Sequence, residues 1–434
     1  MAVRARLAAP REPQDRWPWH TVNSAALPAS LLFSGQRRME GESYLTNGYG
    51  IRIAIEAKAQ GWKTFGDIAT VSAPPRIKQI MVSPENGVPY LNTSQVFDPI
   101  PSPRKWLALE KTHAAEKRFV AEGTILVMAS ATVGRSIVAT KQHENAIISH
   151  HFMRVSAKRP DLSGWIYGFL RSPQGQAMMS SSQYASIIRH IEPAHLNSLP
   201  IPEVSADTAK IFAERVRAIV DCRNRATELS RRAEDKYEAA LGFDKIEGAE
   251  TGFTIWTSEI DRFRRRFEAA YHAPDVRSLV ASFRRWEPLG TLVKRVWWPN
   301  RFKRIFGEGG TPYMSADDVF TTNPYYLKTV LVEGKKDLEE FLVQKNWIIM
   351  ARSGQIYGLN GSAKLVSDYH RSFFLSDDLI RIAPDPTKAR AGYLITALTH
   401  PTLGRPLVIR EAYGMSIPHL GSGPIKVLAE TANG

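Results

Sequence analysis

A chain of 434 residues is longer than one average domain, and its 43% hydrophobic residues suffice for real cores, which excludes a disordered polymer. Lys and Arg number 57 against 43 Asp and Glu, a formal +14 with a pI near 9.7. A polyanionic partner is therefore expected, nucleic acid before an acidic membrane surface. A single cysteine, Cys222, excludes an internal disulfide and a thiolate metal site.

Met1 to Arg16 mixes Arg, Pro and Asp without an apolar signal-peptide centre, and residues 1–35 read as an N-terminal extension. No apolar run reaches the length of a membrane span, so a soluble cytoplasmic protein is expected. Ile125-Leu-Val-Met128, Ile137-Val-Ala139 and Phe152-Met-Arg-Val155 are short, apolar and bounded by Gly, Ser or Asn, which predicts strands. Ser163 to Met179 carries apolar residues at helical spacing and predicts one helix. From Ser205 to Leu241 there is no Pro or Gly. There Phe212, Val216, Ile219, Ala226, Ala233, Tyr237 and Ala240 fall on a 3-4 spacing, interrupted by Arg223 and Ser230. This predicts a coiled-coil-like spacer of about 35 residues, roughly 50 Å long. Phe212, Val216, Ile219, Arg223, Leu229 and Tyr237 are its expected partner-binding residues. The plainer reading is a surface helix folded onto one domain.

On either side of that helix the chain repeats itself. Gly87-Val-Pro-Tyr90-Leu returns as Gly310-Thr-Pro-Tyr313-Met, 223 residues later at the tyrosine. Trp62–Gly66 pairs with Trp286–Gly290, Ile125–Ala129 with Trp347–Ala351, and Ser149-His-His-Phe-Met-Arg154 with Ser376-Asp-Asp-Leu-Ile-Arg381. Gly164-Trp-Ile-Tyr167 answers Gly392-Tyr-Leu-Ile395, and Tyr184–His190 answers Tyr413–His419. Six blocks in one order predict two copies of one mixed α/β (α+β) module. The boundaries are an extension over 1–35, modules over 36–203 and 244–425, the helix over 204–243, and a tail over 426–434.

Within this frame, polar side chains on varying loops are the candidates for DNA contact, because Arg suits guanine, Asn or Gln suits adenine, and hydroxyls suit either. They are Tyr90, Asn92, Thr93 and Gln95 against Tyr313 and Ser315, and Ser130, Thr132, Arg135 and Lys141 against Arg352, Ser353 and Gln355. From Arg262 to Arg304 twelve Lys or Arg face three acidic residues, with Trp286, Trp297 and Trp298 interleaved. Arg264, Arg265, Arg266, Arg301, Lys303 and Arg304 are accordingly candidates for a phosphate clamp. The plainer reading makes Arg264–Arg266 a solvated helix face, with Phe263 and Phe267 toward the core.

Catalytic motifs fail their context. Asn323-Pro-Tyr-Tyr326 lacks the second proline of an amino-methyltransferase motif. Phe306-Gly-Glu-Gly-Gly310 has neither the strand before it nor the helix after it that a phosphate cradle needs. Glu333-Gly-Lys335 has no counterpart in copy one. His143, His150 and His151 lack a further ligand, and copy two places Asp377-Asp378 where copy one has its histidine pair. No catalytic residue, metal or cofactor is expected in this chain.

The order of Trp62–Gly66, Gly87–Leu91, Ile125–Arg135, Ser172–Gln176 and His190–Pro202, followed by the helical arm, resembles the specificity subunit of type I restriction–modification enzymes over about residues 36–425. Arg38-Met-Glu-Gly41 and Arg266–Tyr271 resemble that family's lead-in to each domain. The resemblance implies two target-recognition domains, each reading half of a bipartite DNA site. It implies helices that hold them apart and dock S-adenosylmethionine-dependent adenine-N6 methyltransferase subunits, with a restriction/translocase subunit where cleavage accompanies modification. It also implies an antiparallel helix pair, whereas only 15 residues follow His419. Either another chain completes the spacer or the protein is a shortened variant. The rival readings are a stand-alone modifying enzyme or nuclease with degenerate motifs, and a scaffold that binds no DNA.

Overall fold

The computed structural model describes Ala29 and residues 41–45, 47–58, 61–76, 78–111, 115–182, 189–242, 252–262, 266–283, 286–324, 328–332, 337–426 and 428–430. It divides the chain into two compact units, residues 1–224 and 225–434, with the division inside the long helix.

Among the described residues ten strands build the first unit: β1 (Trp62–Thr64), β2 (Ala69–Ser72), β3 (Met81–Val82), β4 (Val88–Leu91), β5 (Lys105–Leu107), β6 (Ile125–Met128), β7 (Ser136–Val138), β8 (Ile147–Ile148), β9 (Phe152–Ala157) and β10 (Pro200–Pro202). The apolar run of β6 is buried along its whole length because both its faces are covered. Ile125 and Val127 face a core shared with the helices Ser163–Arg171 and Pro173–Ser181. Leu126 and Met128 face a second core with Leu91, Phe97, Ile148 and Phe152. The sheet runs β2-β9-β6-β7, all antiparallel, and a second runs β3-β5-β4-β8, in which β4 and β8 are parallel. The β1–β10 ribbon closes the unit.

The second unit repeats this plan with β11 (Glu287–Pro288), β12 (Val293–Trp297), β13 (Ile305–Met314), β14 (Lys328–Leu331), β15 (Ile348–Ala351), β16 (Ala363–Leu365), β17 (Phe374–Leu375), β18 (Leu379–Pro384) and β19 (Ala429–Glu430). Its sheets run β12-β18-β15-β16 and β14-β13-β17, with β13 and β17 parallel. Tyr90 pairs with Ile147 in one unit as Tyr313 pairs with Phe374 in the other.

In each unit a buried arginine on the long sheet strand ties the surrounding main chain together. Arg154 donates to the main-chain carbonyls of Ser149, Phe152, Arg118 and Ile148. Arg381, fully buried, donates to those of Ser376, Leu379, Phe341 and Leu375. Burial holds both guanidinium groups below the usual arginine range, Arg154 at about 10 and Arg381 at about 9. A second repeated device is a histidine that closes a short helix. His143 Nδ1 accepts from Thr140 N, and His370 Nδ1 accepts from Ser367 N.

Three sequence expectations change. The helix expected over 163–179 is two helices, because Pro173 has no N–H to continue the first and Ser172 instead caps the second, accepting from Gly175 N. The tail begins later than 426, because Ala429–Glu430 pairs with Glu287–Pro288 just as β10 pairs with β1. The glycine-rich segment 307–310 is an excursion within β13. Val330 pairs with both Phe306 and Thr311, so the residues between them leave the ladder.

The long helix, Ala206–Leu241, forms as its lack of Pro and Gly requires. Its covered stripe is shifted from the predicted seam. In the first unit Phe212, Val216 and Val220 pack beside Trp165, which meets Phe212 at 5.1 Å edge-on. Gly164 permits this approach, since a Cβ there would lie 2.3 Å from the Phe212 carbonyl carbon. In the second unit Tyr237 packs against Tyr393 and His400 at 5.7 Å each. Arg223 is mostly buried, with Tyr167 beside it. Of the six expected partner-binding residues, Phe212, Val216, Arg223 and Tyr237 are thus spent on the chain's own units, while Ile219 and Leu229 stay exposed.

Candidate nucleic-acid interface

In each unit, the loop after the central strand is held by the same main-chain pattern. In the first, β6 ends at Met128; Ala129 N donates to His151 O, and Ser130 forms an isolated bridge with His190. Gly134, at φ +84°, turns the chain back, its N–H donating to Met128 O. Ala131 sits at φ +62°, a costly place for a residue with a β-carbon, so the surrounding bonds impose the loop's shape. In the second unit Arg352 N donates to Asp378 O, Ser353 bridges His419, and Gly354 at φ +128° makes the turn. Ser353, not Arg352, thus stands where Ser130 does.

The two loops differ in what they present. In the first, Arg135 lies flat over Phe97, 3.8 Å from the ring centroid, with Thr132 partly exposed and Lys141 exposed nearby in sequence. Ser130 is buried, its Oγ 2.6 Å from His151 Nδ1. In the second, the loop is longer and runs from Arg352 to Gly361. Arg405 donates to the carbonyls of Ile356, Gly358 and Asn360, and the buried Asn360 donates to Pro418 O at 2.7 Å. Exposed Gln355 donates to Ser416 O, tying this loop to the 413–419 turn, which Tyr413 and His419 close with two hydrogen bonds. Arg352 lies over Trp298 and 3.8 Å from Asp378.

The paired loops of the second unit expose Tyr357, Met415 and Ile417, the methionine completely. Apolar groups of this kind can meet a thymine methyl or a base step. Sequence reasoning missed these three because it sought polar base readers. The signal available was their place between glycines, at Gly354, Gly358 and Gly414.

Other candidates are drawn into the fold. Tyr90 and Tyr313 are core residues, and Gln79 donates to the Tyr90 hydroxyl. Asn92 Oδ1 accepts from Gln95 N, and buried Gln95 accepts from Asn92 N. Ser315 and Asp318 form the equivalent capping box. Asn, Gln and Ser here satisfy helix N-termini, a role these residue types serve as readily as base recognition. Thr93 is partly covered in the same turn.

The basic stretch is also less free than its composition suggests. Arg266 is paired to Glu268, donates to Ala412 O and lies over Tyr271. Arg277 pairs with Glu259, Arg295 with Glu340, and Arg304 with Asp377. Arg301 and Lys303 are exposed. Arg264 and Arg265, like Glu333, Lys335, Tyr325, Tyr326 and residues 38–40, lie outside the described residues. Among the described residues no helix is long and apolar enough to cross a membrane.

No protein-family model matches the chain, and no curated protein does. Among solved structures the chain is similar to the type I restriction–modification S subunit from M. genitalium. The identity is 15%, the alignment covers 79% of this chain and 78% of that one, and the TM-score is 0.29. It is similar to the HsdS subunit from Thermoanaerobacter tengcongensis at 12% identity, covering 85% and 83%, with a TM-score of 0.26. A third similarity, to the type IIG restriction endonuclease BpuSI, is 11% identical, covers 41% of this chain and 29% of that one, and has a TM-score of 0.29.

Proposed function

We propose that this chain is the sequence-reading, non-catalytic subunit of a type I restriction–modification complex, with one half of a bipartite DNA target read by each unit. The observation that carries this reading is the duplicated frame with unlike loops. Arg154 and Arg381 fix the same strands and Ser130 and Ser353 form the same bridge, while the loops beyond them present different groups. Two readers of one plan with different contact residues suit two different half-sites. The net charge of +14 suits a duplex partner. On this reading an S-adenosylmethionine-dependent adenine methyltransferase subunit, and a restriction/translocase subunit where cleavage occurs, act where this chain directs them.

The test is the methylated motif in cells that carry the protein with its methyltransferase partner. Gln355→Ala with Tyr357→Ala should alter one half of that motif and leave the other half and the gap unchanged. Arg135→Ala with Thr132→Ala should do the converse. Both halves changing together would refute independent reading, and methyl transfer by the purified chain alone would refute its non-catalytic role.

A further inference from the structure

The turn between β8 and β9 carries two imidazoles in the first unit where its counterpart in the second unit carries carboxylates. His150 and His151 stand with ring centroids 4.1 Å apart. His151 Nδ1 is engaged by Ser130 Oγ, whereas His150 Nδ1 is shielded from solvent with no hydrogen-bond partner among the described residues. Exposed Arg76 acts electrostatically on both rings, Arg118 and Arg154 act on His150, and His190 acts on His151. Arg118 donates to Pro75 O at 2.7 Å, which fixes the chain beside Arg76.

Among the described residues Glu116 acts on Arg118, and the Tyr90 hydroxyl acts on Arg118 and Arg154. Among the described residues Arg76, His150 and His151 make no ion pair. Burial first, and then the neighbouring cations, depress His150 to about 4 and lower His151.

The second unit places Asp377 and Asp378 at the equivalent positions. Arg304 pairs with Asp377 at 2.9 Å, and Arg352 approaches Asp378 at 3.8 Å. One unit therefore neutralises its arginines from within, at the place where the other gathers Arg76 and two imidazoles.

We infer that Arg76, His150 and His151 form a phosphate-group site in the first unit, filled by a backbone phosphodiester of DNA, at the position where the second unit supplies Asp377 and Asp378. The inference rests on the DNA-reading function proposed above and adds an asymmetry to it. The first unit takes an external anion and the second carries its own. A phosphate seated here favours protonated imidazole, so binding takes up a proton and strengthens as pH falls toward about 4, where His150 is protonated without it. Arg118, Arg154 and His190 add to the field that the anion relieves.

Two measurements test the site in the full chain. Histidine ring resonances are titrated with pH in inorganic phosphate and in chloride of equal ionic strength. Phosphate should raise the His150 and His151 midpoints, and Arg76→Ala, which keeps both rings as reporters, should diminish that rise. Unmoved midpoints in the unaltered chain would overturn the site. Duplex binding is then followed against salt in complex with the methyltransferase partner, where Arg76→Ala should reduce the log–log slope by about one and weaken binding several-fold at fixed salt. A phosphate response with an unaltered slope would overturn the phosphodiester as occupant. If the complex binds no duplex while phosphate still moves both histidines, the proposed function has failed and the anion site stands.

Discussion

Arg304 Nη2 lies 2.9 Å from Asp377 Oδ1, on a carboxylate side chain only 7% exposed. A cation that looks free along the sequence is thus tied to an acid 73 residues away. Asp377→Asn removes the charge and keeps the shape. Duplex binding should become more salt-dependent by up to one unit of slope, as Arg304 is released toward phosphate. Stability should fall by about 1–2 kcal/mol, less than for a fully buried pair because Arg304 is partly exposed. Urea unfolding and salt titration measure the two effects, and an unchanged slope would show that Arg304 stays directed inward.

Arg154 and Arg381 each serve four carbonyls that water does not reach. Arg381→Met should leave all four without a donor and cost about 3–5 kcal/mol. Arg381→Lys should recover little of that, since an ammonium lacks the planar fork that spans these acceptors. Guanidinium-chloride unfolding followed by tryptophan fluorescence reads both variants. A lysine variant as stable as the parent would contradict the fork's role.

Gly164 and Gly392 correspond in the repeat yet face different surroundings. A Cβ at Gly164 would meet the Phe212 carbonyl and Ala213 N within 2.4 Å, whereas one at Gly392 meets nothing within 4 Å. Gly164→Ala should therefore destabilise by about 1–3 kcal/mol. Gly392→Ala, near the start of the helix Ala391–Thr399, should be neutral or stabilise by up to about 1 kcal/mol. Thermal unfolding of the pair checks the sign difference, and equal effects would show that the long helix yields at Gly164.

His370 is held at about 4, chiefly by burial and then by neighbouring Lys364, against 6.5 unperturbed. The unfolded chain binds this proton first. Stability contributed by the neutral ring is therefore full above pH 6.5 and falls between 6.5 and 4. His370→Asn, which can still accept from Ser367 N, should flatten the pH profile of the urea midpoint over that window. A profile with the parent's slope would assign the acid sensitivity to other groups.

The duplication and the strands β6, β7 and β9 were legible, the central ones because β6 and β15 are continuous apolar runs, which a sheet covered on both faces requires. The helix seam was legible in part. A 3-4 pattern through Val216, Arg223, Ser230 and Tyr237 fits two stripes that share those positions, and burial of Val220 and Thr227 selects the stripe that composition did not favour. Charge counting misjudged the basic stretch because Glu259, Glu340 and Asp377 come from outside it. Asn92 and Ser315 accept from nearby main-chain N–H groups, a role that the sequence does not separate from base recognition because one chemistry serves a helix end and a base edge alike.

The acceptors of Arg154 and Arg381 are all main-chain oxygens, which every amino acid possesses. These fastenings are indifferent to the side chains at the positions they grip. Mutation can rewrite the neighbouring turns, even from His150-His151 to Asp377-Asp378, without loosening the strands beneath them. Such a scaffold can acquire a new target while keeping its architecture, and each unit can drift alone because each has its own pin.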